Sequence, residues 1–386
     1  MIKTLLLAVI IVFSNLANAQ NWDAKADFGA IGRHRASGFS IGNKGYIGLG
    51  HMNGGGPNIV YQDWWQYDPA SNSWTQKADY ANGVPNYAAI AFSTSTKGYI
   101  GGGTAFTSEF FCYDPVTNLW TAVSNCPTNV NDQTAFAINE KGYVIDGNLF
   151  VEYDPSTDSW TYKQSIPTSC AVWSSSFVIG GSAFLKSGNL FYEYKASQDQ
   201  WIPRSNFPGS ATGGAVAFST FNKGYIVSGY AGSLALVNKE VWEFNPATNT
   251  WTQKEDFEGS ARRFSVGFSI NNRGYLGTGT NGINFNDFWA YDNFAETAEL
   301  NPFLVSCTAF PNPATESIQF KLSDALGNET WQLQIVSTTG EIVHHSEHTG
   351  QEATFERGTL SNGTYFYQLI CAGKTVATDE FQLIGL

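Results

Sequence analysis

Lys44-Gly45-Tyr46-Ile47 returns along the chain as Lys97-Gly98-Tyr99-Ile100, Lys141-Gly142-Tyr143-Val144, Lys223-Gly224-Tyr225-Ile226 and Arg273-Gly274-Tyr275-Leu276. A degenerate copy, Ser182-Ala183-Phe184-Leu185, fills the one gap, so successive copies start 53, 44, 41, 41 and 50 residues apart. Five residues ahead of each copy stands a phenylalanine: Phe39, Phe92, Phe136, Phe177, Phe218 and Phe268. Six units of this length cannot each bury an apolar face alone and must stack against one another.

Downstream, each unit carries an aromatic strand that ends in a turn. Trp65-Gln66-Tyr67-Asp68-Pro69 is echoed by Phe111-Cys112-Tyr113-Asp114-Pro115, Val151-Glu152-Tyr153-Asp154-Pro155 and Trp242-Glu243-Phe244-Asn245-Pro246, with Tyr192-Glu193-Tyr194 and Trp289-Ala290-Tyr291 completing the column. Proline fixes φ and lacks the amide donor, so the strand stops there. A tryptophan follows in five units, Trp74, Trp120, Trp160, Trp201 and Trp251, and is missing from the sixth. The sixth lies at the other end: Trp22-Asp23-Ala24-Lys25-Ala26-Asp27-Phe28 parallels Trp74-Thr75-Gln76-Lys77-Ala78-Asp79-Tyr80. The N-terminal strand is therefore expected to supply the outer strand of the last unit and to close a ring without an open edge.

Four short strands per unit, repeated radially with glycine where the units crowd, predict an all-β, six-bladed β-propeller. The glycine-rich second strand, aromatic third strand and fixed tryptophan in the fourth resemble the kelch family over residues 20 to about 298. The family's double glycine is complete only in Gly101-Gly102-Gly103. The resemblance implies a fold and leaves the chemistry open. The repeated aromatics are expected to fill the gaps between blades, so any function resides in what is not repeated.

Beyond Asn293 the period stops. Residues 299–386 are expected to form a second, small Ig-like β-sandwich, with strands at Val305–Phe310, Glu316–Leu322, Thr330–Ser337, Glu341–His345, Gly363–Ile370 and Thr375–Leu383. Ala309-Phe310-Pro311-Asn312-Pro313-Ala314, Ser337-Thr338-Thr339-Gly340-Glu341-Ile342-Val343 and Leu360-Ser361-Asn362-Gly363-Thr364-Tyr365 resemble the C-terminal sorting domain of type IX (Por) secretion, although this terminus lacks the basic residue common there. The resemblance implies the type IX machinery as partner and a Bacteroidota-type host. It also implies delivery to the medium or the outer cell surface. Residues 1–19 fit that route: Lys3, the apolar run Leu5 to Phe13 and Ala17-Asn18-Ala19 read as a cleaved secretory leader. Nine apolar residues are too few to cross about 30 Å of hydrocarbon, and no later stretch approaches spanning length.

Composition supports a secreted β-protein: of 386 residues only 14% are charged, 15% are aromatic and 39 are glycine. A formal charge of −12 excludes the clustered positive charge that non-specific binding to nucleic acid or anionic membrane requires. Five cysteines leave at least one unpaired within the chain, with Cys126–Cys170 and Cys307–Cys371 as candidate bridges. His344-His345 and His348 are not expected to bind metal, because neighbours on a strand point to opposite faces. No cofactor is expected.

The loops that lead into each Phe strand and out of each Gly-Tyr strand gather on one face. The polar and aromatic groups they carry are Arg33, His34, Arg35, His51 and Asn53 in unit one, Asn86 and Tyr87 in unit two, Asp132 in unit three, Trp173 in unit four, and Arg262 and Arg263 in unit six. Arginines beside carboxamides and aromatic platforms suit an anionic or hydroxyl-rich ligand. The expected function is a secreted or surface-displayed recognition module for a glycan or protein. The alternatives are a carbohydrate-active enzyme, of the sialic-acid isomerase or oxidase kind found among kelch propellers, and a structural surface component. A copper-radical site needs two histidines, a tyrosine and a cysteine-linked tyrosine. The propeller offers only His34 and His51, both in one unit.

Overall fold

The computed structural model describes residues 21–291 except 55 and 221, and 307–385 except 323–329, 339–340 and 372–373. The leader expected at 1–19 and the domain boundary expected at 298/299 lie outside these residues. The chain divides into two compact units.

The first unit is six four-stranded antiparallel sheets arranged as blades. Blade 1 runs Ser37–Ile41, Lys44–Gly48, Trp64–Asp68 and Ser73–Lys77 from axis to rim. In every blade the Phe-bearing strand is innermost, and each inner strand lies against those of the two neighbouring blades, blade 6 against blade 1 included. The last blade takes its outer strand, Trp22–Lys25, from the N-terminus, with Trp22 opposite Tyr291. The permutation expected from the misplaced tryptophan is therefore the one observed.

The repeated residues hold blade to blade. A Cβ built on Gly98 would lie 1.9 Å from the Phe39 ring, one on Gly142 2.1 Å from Phe92, one on Gly224 2.0 Å from Phe177 and one on Gly274 2.2 Å from Phe218. In these blades the second-strand glycine is thus the floor on which the preceding blade's phenylalanine rests, at a separation that leaves no room for a Cβ without a shift of the ring. Farther out, the fourth-strand tryptophans of blades 1 to 5 donate their indole N–H to a carbonyl of the preceding blade, Trp74 to Ala26, Trp120 to Ala78, Trp160 to Ser124, Trp201 to Gln164 and Trp251 to Ser205, whereas the Nε1 of Trp22 in blade 6 is buried without a partner.

An Asn or Asp two residues before each of these tryptophans forms a second bridge, which the sequence reading missed. Asn72, Asn118, Asp158, Asp199 and Asn249 all have left-handed φ between 47° and 57°. Each accepts a backbone N–H from the neighbouring blade, and in the first four the tyrosine of the Tyr-Asp column donates its hydroxyl to the same oxygen. Asn and Asp tolerate this backbone region, and their short side chains reach the neighbouring strand.

The inner strands alternate between side chains buried toward the blades and side chains facing the axis. The axial positions are small, as at Gly38, Ser40, Ala135 and Ala137, because six strands converge there. On the face away from the loops, Lys44, Lys97 and Lys141 pair with Asp68, Asp114 and Asp154.

The second unit is a β-sandwich of a three-stranded and a four-stranded sheet. Its core is Ile318, Phe320, Trp331, Leu333, Ile335, Phe355, Tyr367 and Phe381 with their neighbours. Glu352–Glu356 forms a strand absent from the sequence reading, with Ala353 and Phe355 turned inward, and the strand predicted to end at His345 continues to Thr349. On that longer strand His344, Ser346 and His348 occupy alternate positions, the hydroxyl lying 2.9 and 2.7 Å from the two imidazoles. Neither disulfide forms. Cys126, Cys170 and Cys307 are free thiols, and Cys126 and Cys170 are buried in separate cores.

Candidate functional site

The residue four positions before each column phenylalanine leads the chain into the inner strand. Those six residues, Arg35, Ala88, Asp132, Trp173, Gly214 and Phe264, all adopt left-handed φ between 50° and 65°. This turn points each amide and carbonyl sideways, and the six residues bond head to tail around the axis. Ala88 N–H donates to Arg35 (3.1 Å), Asp132 to Ala88 (3.0 Å), Trp173 to Asp132 (2.9 Å), Gly214 to Trp173 (2.9 Å), Phe264 to Gly214 (2.9 Å) and Arg35 to Phe264 (3.1 Å). A closed ring of six backbone hydrogen bonds frames the mouth of the axial channel.

Glycine is the residue for which this conformation carries no strain, and only blade 5 uses it. Elsewhere the backbone cost is about 1 kcal/mol or more per residue. In exchange, side chains meet over the mouth. Arg35 reaches from blade 1 across the axis to Asp132 of blade 3, Nη1 to Oδ2 at 3.2 Å, with its guanidinium 5.2 Å from the Trp173 ring centre and 4.7 Å from that of Phe264. Trp173 packs edge-on against Phe264 and Tyr230. Arg263 flanks the group with its guanidinium 5.5 Å from the Phe264 ring centre, and among the described residues it makes no ion pair. The Nε atoms of Arg35 and Arg263 are buried without a hydrogen-bond partner. Arg35, Asp132, Trp173 and Phe264 line a cavity of about 140 Å³ together with Gln133, Ser174 and small neighbours, and Arg263 and Tyr230 stand outside its lining. Burial pushes the Asp132 carboxyl above its usual range against the pull of Arg35.

Three of the expected site residues have structural roles instead. Arg33 is almost fully buried, donates both Nη groups to the Asp63 carboxylate and to Leu49 O, and stacks 3.9 Å from the Tyr61 ring centre. Arg262 repeats this with Asp287, Thr278 O and Phe285. Asn86, at the matching place in blade 2, is consumed by Thr104 N, Ala105 N and Gly102 O. A side chain whose donors and acceptors are all satisfied inside the protein offers nothing to a ligand. The signal for the arginine clamps was present in the sequence: the blades with Arg33 and Arg262 carry Asp63-x-Trp65 and Asp287-x-Trp289, where each tryptophan indole donates to the clamp carboxylate.

His34 and His51 come together beside the mouth. Reciprocal backbone hydrogen bonds link them, their ring centroids are 4.1 Å apart, and His51 stacks on Tyr87 at 3.9 Å. Nδ1 of His34 lies 2.7 Å from Asn284 Oδ1 and Nδ1 of His51 lies 2.7 Å from Asn58 Oδ1. A carbonyl oxygen only accepts, so each Nδ1 carries the proton in the neutral ring and Nε2 is left bare, that of His51 buried and unpartnered. Burial lowers both imidazole pKa values, that of His34 to about 4, with the neighbouring His51, Arg35 and Arg263 charges adding to the effect. Asn53 is exposed and contributes its carbonyl to Asn284 Nδ2 at 2.9 Å, tying the blade 1 loop to blade 6.

Comparison with known proteins separates the two units. Residues 308–381 match the family described as the secretion system C-terminal sorting domain. The C-terminal unit is a type IX sorting domain. It directs the chain to the medium or the outer cell surface of a Bacteroidota-type bacterium. The propeller is similar in fold to the solved structure of YjhT, with a TM-score of 0.58 and 16% identity over 68% of this chain and 95% of that one. A fungal alcohol oxidase of the AA5 family, solved in complex with copper, has a TM-score of 0.57 and 14% identity over 94% of this chain and 99% of that one. At such identities the likeness is one of fold. No curated protein matches the chain.

Proposed function

We propose that the protein is a recognition module: a kelch-repeat propeller over residues 20–298, carried out of the cell by its leader (1–19) and sorting domain (299–386), that binds a glycan or protein ligand at the axial mouth. The observation that carries this reading is the ring of left-handed residues in which Arg35, Asp132, Trp173 and Phe264 replace glycine and converge on one cavity. Bulky side chains held at a strained backbone position, with a guanidinium across the axis, fit a retained contact surface better than a scaffold. Arg35, Arg263, Asp132 and Trp173 are the residues assigned to contact, with His34, His51 and Tyr87 behind them.

The test is a screen of the full chain against a glycan array and a panel of surface proteins, alongside an Arg35→Ala/Arg263→Ala double variant. Selective binding that disappears in the variant supports the reading, and identical profiles overturn it. A carbohydrate-active enzyme is the second reading, favoured by the two neutral imidazoles held in contact. Turnover of a bound sugar that is lost in His51→Gln would establish it.

A further inference from the structure

The longest strand among the described residues, Lys374–Leu383, lies at the edge of the four-stranded sheet of the C-terminal unit, paired on its inner side with Gly363–Cys371. An edge of this length presents a row of amides and carbonyls that folded proteins cover. Here the cover is made largely of side chains. Asn312 Oδ1 accepts the N–H of Gln382 at 2.9 Å, and its Nδ2 lies 3.4 Å from Glu380 O. Asp379 Oδ1 accepts the N–H of Glu380 at 2.9 Å. Backbone pairing comes from Ala314, which donates to Gln382 O and accepts from Ile384 N–H in a single parallel bridge beside Leu383. Pro311 and Pro313, on either side of Asn312, have no N–H, so this segment cannot continue the ladder.

The cover stops at Glu380. By the alternation of the strand, Thr378 turns its N–H and C=O to the same edge as Glu380 and Gln382, and among the described residues nothing bonds to them there. Beyond Asn312 the covering segment is fastened by Arg357, which donates to both Thr315 O and Ile384 O. Rotation of two side chains, Asn312 and Asp379, therefore clears the edge over residues 378–382 without breaking a strand pair or the Arg357 clamp.

The charge beside the open stretch specifies the occupant. Asp379 and Glu380 are exposed, and among the described residues neither forms an ion pair. Two copies of this edge would bring four carboxylates together, which disfavours self-pairing, whereas a basic segment is complementary. We infer that this edge is where the export machinery takes hold of the sorting domain: a basic, extended segment of the machinery adds as a fifth strand along residues 378–382, in the place of the Asn312 and Asp379 side chains. The inference rests on the match of residues 308–381 to the sorting family and is independent of what the propeller binds. Strand addition of this kind takes its affinity from main-chain hydrogen bonds and its specificity from the flanking side chains.

The experiment measures export of full-length variants from the host by fractionation, with an antibody to the propeller, between the limits set by the parent and by a chain ending at residue 298. Thr378→Pro removes an edge-facing N–H that bonds to nothing within the sheet, whereas Thr378→Ala keeps it. The proline variant is expected to lower export about tenfold, and the alanine variant to match the parent. Glu380→Lys, which reverses one charge of the edge, is expected to lower export about threefold or more. Amide hydrogen exchange over Gly363–Cys371 in the purified chains reports whether the sheet is intact. Parental export of a folded Thr378→Pro chain, or of Glu380→Lys, overturns the inference. An equal loss in Thr378→Ala also overturns it, because the side chain would then be the feature read. Where proline loosens the sheet, Glu380→Lys decides, and a loss of export with exchange unchanged supports the edge. Secretion of the chain ending at 298 removes the sorting assignment itself.

Discussion

Arg33 turns into its own blade to meet Asp63, whereas Arg35, two residues on, crosses the axis to Asp132. The left-handed turn at 35 separates these fates, and it is not written in the identity of either residue. That is why the sequence grouped Arg33 with Arg35 and Arg262 with Arg263, although the Asp-x-Trp pairs mark the clamp members. The two classes respond differently to truncation. Arg33→Ala or Arg262→Ala leaves a carboxylate among aromatic rings and is expected to cost about 2–3 kcal/mol, short of a fully buried pair because Asp63 and Asp287 keep some water. Arg35→Ala and Arg263→Ala, at the open mouth, are expected to cost about 1 kcal/mol or less. Urea unfolding of the four variants measures the difference, and equal losses would dissolve the distinction. His34 makes stability depend on pH. Its folded pKa of about 4 lies below the unfolded value of 6.5, so the unfolded chain takes up a proton first as pH falls. Stability from this group is full above about pH 6.5, declines down to about pH 4 and is flat below, by about 3 kcal/mol in all. Thermal melts at pH 7 and pH 4.5 should therefore differ less in His34→Asn than in the parent.

At the scale of the element, the strands were legible wherever one residue type recurs for one physical reason. The Gly–Phe contact sets the inner blade interface, and blade 4 shows its limit: Ala183 replaces the glycine and packs in the same core as Phe136. Gly98→Ala, which places a Cβ 1.9 Å from the Phe39 ring, is expected to destabilise by about 1–3 kcal/mol, and the penalty should shrink in a Phe39→Leu background. A double-mutant cycle by chemical unfolding reads the coupling, and additive losses would place the strain elsewhere. Where recurrence ends, legibility falls. Glu352–Glu356 has only two inward side chains, Ala353 and Phe355, between three glutamate or threonine positions, so its alternation was too short to register without the neighbouring strand Ser317–Leu322 that pairs with it.

At the scale of the whole molecule, a ring has no free edge only while its last strand is in place. Trp22 is 2% exposed and packs against Phe257 and Tyr291 at centroid distances of 4.7 and 4.9 Å, so one N-terminal residue ties blade 6 to blade 5. Trp22→Ala is expected to remove about 3–5 kcal/mol and to uncover the edge of Phe288–Tyr291. An unpaired edge next to exposed aromatic surface associates with other chains, so the variant should gain light scattering as well as lose stability. Export belongs to the other unit, because the sorting domain has its own core and its own strand pairing. A chain ending at residue 298 should therefore fold its propeller yet stay behind the outer membrane, whereas Trp22→Ala should weaken the propeller while the sorting signal remains intact. Fractionation of host cells producing each form, scored with an antibody to the propeller, distinguishes the two. Truncated protein in the medium or on the cell surface would show that the propeller carries an export signal of its own.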